Sequence, residues 1–233
     1  MRPDRQKAIA ASFPKHATGQ DIAVDPAARA VLRNTYRLLA MTLAFSAVTA
    51  ALSVSLRLPY PGILLTLAGY FGLLFLTSHL RNSVWGLVSV FALTGFMGYT
   101  LGPLIGAYLS IPGGSGIVMT AMGTTALVFL GLSAFARSSA APDMSRYGTF
   151  LLVGILVAFC LGLAAIFFSM PALSLAVSGM FVLLMSGLIM FQTQAIIRGG
   201  ETNYIMATVT LFVAIYNLFA SLLQILGFLG GEE

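Results

Sequence analysis

No Asp, Glu, Lys or Arg occurs between Arg81 and Arg137, or between Arg146 and Arg198. These uncharged runs of 55 and 51 residues are each more than twice the roughly 20 residues that one helix needs to cross a bilayer. Only 8% of the 233 residues are charged, against roughly a quarter in a soluble domain. A water-soluble globule is therefore excluded, and the pattern is that of a polytopic membrane protein.

Polar punctuation divides the chain into seven apolar stretches, at about 38–56, 61–78, 84–110, 117–136, 148–169, 171–197 and 205–229. Their length predicts helices, because barrel strands would be shorter and would alternate in polarity. The fifth and sixth stretches nearly abut at Ser169–Met170–Pro171. A break is predicted there, since proline suits the first turn of a helix, where its missing N–H costs nothing. The first apolar run starts late and is too long for a cleavable signal, so it is expected to act as an uncleaved anchor.

Seven of the twelve basic residues precede residue 38. With the N-terminus inside, eleven bases fall on the cytoplasmic side and Arg57 alone falls outside, which the positive-inside rule favours strongly. Seven spans then put the C-terminus on the periplasmic side. This placement also explains the net charge of +5 as topology and gives no reason to expect a nucleic-acid partner. Residues 1–30, rich in Pro and charge, are expected to form a flexible cytoplasmic tail, followed by a single seven-helix domain over 31–233.

Little in the sequence can carry covalent chemistry. Gly113–Gly114–Ser115–Gly116 spells a GxSG string, but a nucleophilic serine needs a base within hydrogen-bond reach. No His or Lys follows His79, and that residue belongs to the other membrane face. No catalytic residue, metal site or cofactor is expected, and the chain is not expected to be an enzyme.

Two features remain. Gly98, Gly102 and Gly106 recur at a four-residue spacing that lets helix backbones approach closely, and Pro103 is expected to kink that helix. On the last helix, Thr210, Ala214, Asn217, Ser221 and Gln224 fall on one stripe, and on the sixth Ser174, Ser178 and Gln192 fall on another. Such stripes are either interhelical hydrogen-bonding contacts or the lining of a conduit. Arg198, Glu201 and Asn203 mark the most polar cytoplasmic turn after the connection from Arg137 to Tyr147.

The segment Val31-Leu-Arg-Asn-Thr-Tyr-Arg-Leu-Leu39 resembles the Bax inhibitor-1 family. So do Gly95-Phe-Met-Gly-Tyr-Thr-Leu-Gly-Pro103, Asp143–Met144–Ser145, and the run from Gly199 through Tyr216-Asn-Leu-Phe219 to Gly227. The resemblance covers about 31–229. It implies a fold of seven transmembrane helices in which six pack round a central seventh. It implies an inner-membrane protein that binds the ATP-dependent protease FtsH and restrains it, with the zinc and ATP sites belonging to that protease. The family's second activity is a calcium leak closed by two aspartates that share a proton. The resemblance places those positions at Gln192 and Ala214, so both acids are missing. An amide facing a methyl group cannot titrate as a coupled carboxylate pair does, so a leak here would lack that pH sensor.

Overall fold

The computed structural model describes residues 25–230. It contains seven long helices, α1 (Pro26–Ser55), α2 (Ile63–Leu80), α3 (Val84–Leu109), α4 (Gly114–Phe135), α5 (Gly148–Phe167), α6 (Pro171–Ile197) and α7 (Tyr204–Gly230), with one 3-10 turn at Ser145–Tyr147 before α5. All seven are long and apolar enough to cross a membrane. No strand occurs among the described residues. A helix satisfies its own backbone hydrogen bonds, which is what an apolar solvent demands of any spanning segment.

In six of the seven helices both limits fall within three residues of the predicted stretches. The exception is α1, which starts twelve residues before its apolar run. Asp25 caps it by accepting a hydrogen bond from the Ala27 N–H at 3.0 Å, and Pro26 occupies the first turn. A capped start with a pre-set proline φ favours helix irrespective of hydropathy. Ala28 and Thr35 are buried in this extension. The expected flexible tail to residue 30 is thus corrected at its inner end, where Pro26–Ala30 is helical; residues 1–24 lie outside the described residues. The break between α5 and α6 falls where proline predicts it. Ser169 there adopts a left-handed φ of 51°, and Pro171 opens α6.

The central helix is α7, which packs directly against α1, α3, α4 and α6. The other two complete the ring from outside: α2 lies on α3 and α5 on α6. They meet edge-to-face at Phe71 and Phe159, with ring centroids 5.7 Å apart. Leu211, Ala214 and Leu218 of α7 are fully buried, beside Leu39, Leu93 and Ile189 from the surrounding helices.

The tightest pairing is α1 against α3, and glycine creates it. A Cβ on Gly98 would run into the carbonyl oxygen of Ser46 and the hydroxyl of Thr49, and one on Gly102 into Ser53. Around Gly106 there is open space, so only two of the three spaced glycines serve this contact. Helix α3 continues through Pro103. Proline has no N–H for the carbonyl four residues back, which here is Tyr99. The Ser53 hydroxyl donates to that carbonyl at 3.0 Å, so α1 supplies the donor that Pro103 removed.

Candidate functional site

The loops and helix ends fall into two faces. One carries Arg81, Arg137, Arg146 and Arg198 and the start of α1; we call it the basic face. On the other, Arg57 is the single cation among the described residues.

On the basic face the loops are stitched together. Gln194, buried near the end of α6, accepts from the Met144 N–H and donates to the Pro142 carbonyl, each at 2.9 Å. Its one amide thereby holds the α4–α5 loop with both ends. Arg198 pairs with Asp143. The Ser145 hydroxyl and backbone N–H, together with Arg198, lower the Asp143 carboxyl from its ordinary 3.8 to about 2. Gly199 takes a left-handed φ of 74°, ending α6 where a side chain would be strained.

Asn203 then joins three elements. Its Oδ1 accepts from the N–H groups of Ile205 and Met206 at 3.0 and 3.1 Å, which caps α7. Its Nδ2 donates to the Arg81 carbonyl at 3.1 Å and to Asn82 Oδ1 at 2.9 Å. Glu201 steadies it by accepting from its backbone N–H at 2.8 Å. Arg198, Glu201 and Asn203 are therefore brought together, as a fastening of the α2–α3 and α4–α5 loops to the α6–α7 turn. Gln194 and Asp143 are the partners that residue type alone did not single out. The only hint of them was the Asp143–Met144–Ser145 string.

Within the bundle the polar stripe of α7 divides. Thr210 donates to Met206 and Asn217 to Val213, at 3.0 and 2.8 Å, both within their own helix. Ala214 is fully buried and Ser221 nearly so. Gln224 lies toward the Arg57 face, where its Oε1 accepts from the Ser178 hydroxyl at 2.7 Å and its Nε2 donates to Ser174 Oγ at 2.5 Å. These bonds tie α7 to the start of α6. Gln192 stands apart from them, toward the basic face.

Five buried polar atoms have no hydrogen-bond partner among the described residues: Thr35 Oγ1, Tyr36 Oη, Ser133 Oγ, Gln192 Nε2 and Thr193 Oγ1. All five belong to the basic-face ends of α1, α4 and α6. Tyr36 packs on Phe129, with ring centroids 5.9 Å apart, and beneath Arg137 at 5.2 Å. Ser133 lies midway between these two along α4. A buried polar group without a partner costs about 1–3 kcal/mol, so this end of the bundle is where water would be retained. The groups are hydroxyls and an amide, which do not suit a transition metal. Among the described residues no cluster of His, Cys, Asp or Glu could hold a metal ion. Ser115 of the GxSG string lies in the first turn of α4, on the Arg57 face, whereas His79 ends α2 on the basic face.

Comparison with known proteins adds to this geometry. A family model described as Inhibitor of apoptosis-promoting Bax1 matches residues 28–231. An Escherichia coli K12 protein named Modulator of FtsH protease YccA is 54% identical over 198 residues, covering 85% of this chain and 90% of that protein. An uncharacterised Pseudomonas aeruginosa protein is 55% identical over 203 residues, covering 87% and 91%. An uncharacterised membrane protein of Vibrio cholerae is 40% identical over 204 residues, covering 87% and 91%.

Proposed function

Since this chain belongs to the Bax inhibitor-1 family, we propose that it binds an FtsH-type ATP-dependent membrane protease and restrains degradation of that protease's membrane substrates. The observation that carries this reading is the 54% identity, over nine-tenths of its length, to a relative named as a modulator of FtsH. The proposed setting is the bacterial inner membrane, because a relative at the same identity is named an inner membrane protein. The basic face is cytoplasmic in this reading and the C-terminus periplasmic, as the distribution of Arg and Lys favours.

The architecture suits a restraining role. A processive protease must engage a segment of its substrate, and residues 1–24, rich in Pro and charge, are the handle in this reading. Behind it lies a bundle whose helices satisfy their own backbones and whose basic-face turns are fastened to one another through Gln194, Arg198 and Asn203. Such a substrate would be gripped and then extracted slowly, occupying the protease meanwhile. The protein would act by contact and occupancy and would catalyse nothing itself.

The test is the half-life of an established membrane substrate of the protease, measured with and without overproduced protein, intact or lacking residues 1–24. A longer half-life with the intact protein supports the reading. An unchanged half-life, with the protein shown to be inserted and stable, overturns it. Removal of residues 1–24 should also lengthen the protein's own lifetime; equal lifetimes would dismiss that segment as the handle.

A second reading, an ion leak, draws on the unpartnered Gln192 Nε2 and Thr193 Oγ1 near the basic face. It requires water to enter there and to pass the fully buried Ala214. Ion flux into liposomes holding the purified protein tests it, and silence at both neutral and acidic pH would end it.

A further inference from the structure

The ring around α7 is incomplete between α1 and α4. These helices touch at Tyr36 and Phe129 but are not packed backbone to backbone along their length. From mid-membrane to the Arg57 face they flank an open groove of about 730 Å³. Ala47 and Ala51 form one wall, Met122 and Ala126 the other, and Ile105 of α3 and Ile215 of α7 lie on the floor. The surface is overwhelmingly apolar and faces the bilayer, so hydrocarbon must fill it.

The dimensions favour one kind of occupant. Along α1 the groove runs from Leu43 to Ser55, about 18 Å at 1.5 Å per residue. That is close to the hydrocarbon thickness of a single leaflet, about 15 Å. An extended acyl chain matches that length and the apolar lining. At the outer end, two residues beyond Ser55, stands exposed Arg57, held in a left-handed turn at φ 51°. The other described charged residues lie on the basic face. A cation at the headgroup level above an apolar slot one leaflet deep complements the phosphate and chain of one molecule.

We infer that the α1–α4 groove is a binding site for a phospholipid of the leaflet on the Arg57 face, with an acyl chain between Ala47/Ala51 and Ala126 and the phosphate at Arg57. This inference does not depend on the protease reading.

The experiment is native mass spectrometry of the full chain in mild detergent, titrated with phosphatidylglycerol and, separately, with diacylglycerol of the same chains. The intact protein should retain one phosphatidylglycerol in preference to diacylglycerol. Ala51→Phe and Ala126→Phe occupy the slot from exposed wall positions and should each reduce retention by about tenfold or more, as overpacking excludes the chain. Arg57→Gln should reduce phosphatidylglycerol binding by about fivefold, the worth of one basic side chain at an anionic surface, and leave diacylglycerol unchanged. Thermal melting in the same detergent confirms that each variant is folded. Retention by folded Ala51→Phe and Ala126→Phe equal to the intact protein's would overturn the site, because the lipid would then be bound elsewhere. Equal binding of the two lipids, indifferent to Arg57→Gln, would overturn the headgroup assignment. Loss of protease co-purification in Ala51→Phe, with lipid retention unchanged, would assign the groove to a protein partner instead.

Discussion

Ser53 and Pro103 should be energetically coupled, although their side chains belong to different helices. Pro103 leaves the Tyr99 carbonyl without its donor inside α3, and the Ser53 hydroxyl supplies one from α1 at 3.0 Å. Ser53 is 1% exposed, and lipid offers no replacement. Ser53→Ala removes a net hydrogen bond and strands a buried acceptor, a cost of about 1–3 kcal/mol. In a Pro103→Ala background, the restored N–H at position 103 can bond to the Tyr99 carbonyl within α3. The loss of Ser53 then strands nothing and should cost only a few tenths of a kcal/mol. The expected coupling is therefore about 1–2 kcal/mol, well above the roughly 0.5 kcal/mol scatter of independent sites. The assay is a double-mutant cycle of unfolding free energies in mixed micelles. If Ser53→Ala costs the same in both backgrounds, the bond across α1 and α3 does not compensate the proline, and the reasoning fails.

Other outcomes follow from the same packing. Gly98→Ala should destabilise by about 1–3 kcal/mol through overpacking, because its methyl would lie 2.9 Å from Ser46 Oγ and closer still to a backbone carbonyl. Gly106→Ala, in the same helix but facing open space, should be neutral or stabilising by up to about 1 kcal/mol; equal effects in an unfolding titration would refute the assigned α1–α3 contact. Gln194→Leu should free the α4–α5 loop, raising the exchange rate of the Met144 amide by about fivefold or more for the loss of roughly 1 kcal/mol or more, and unchanged exchange would show the clamp to be idle. Asp143 is held at about 2, below its ordinary 3.8, so its contribution is fully present above pH 4 and is lost as pH falls toward 2. Protection of the amides of residues 143–146, taken relative to their intrinsic exchange rates, should fall only in that acidic window, and Asp143→Asn should abolish the change.

How much of this was legible depended on the range of the forces involved. The α5–α6 break could be read from Pro171, whose effect is local. Start of α1 could not be read from hydropathy, because Asp25 and Pro26 set it through capping and the helix runs on past the apolar segment. The α7 stripe was visible as a 3.6-residue period, but its division was not. Whether Asn217 bonds its own helix or Gln224 bonds α6 depends on which side chains stand opposite, and no periodicity contains that.

The sequence by itself determined the solvent, the number of spans and the charge asymmetry of the two faces. Each follows from the free energy of placing individual residues in hydrocarbon or water, which adds up along the chain. Tertiary structure alone decided that Gly98 and Gly102 serve α1 while Gly106 serves no contact, that Ser53 answers for Pro103, and that Gln194 and Asn203 fasten loops more than fifty and a hundred residues away. It also decided where the ring stays open. These are matters of which surfaces meet, and a surface finds its counterpart only when the helices have packed.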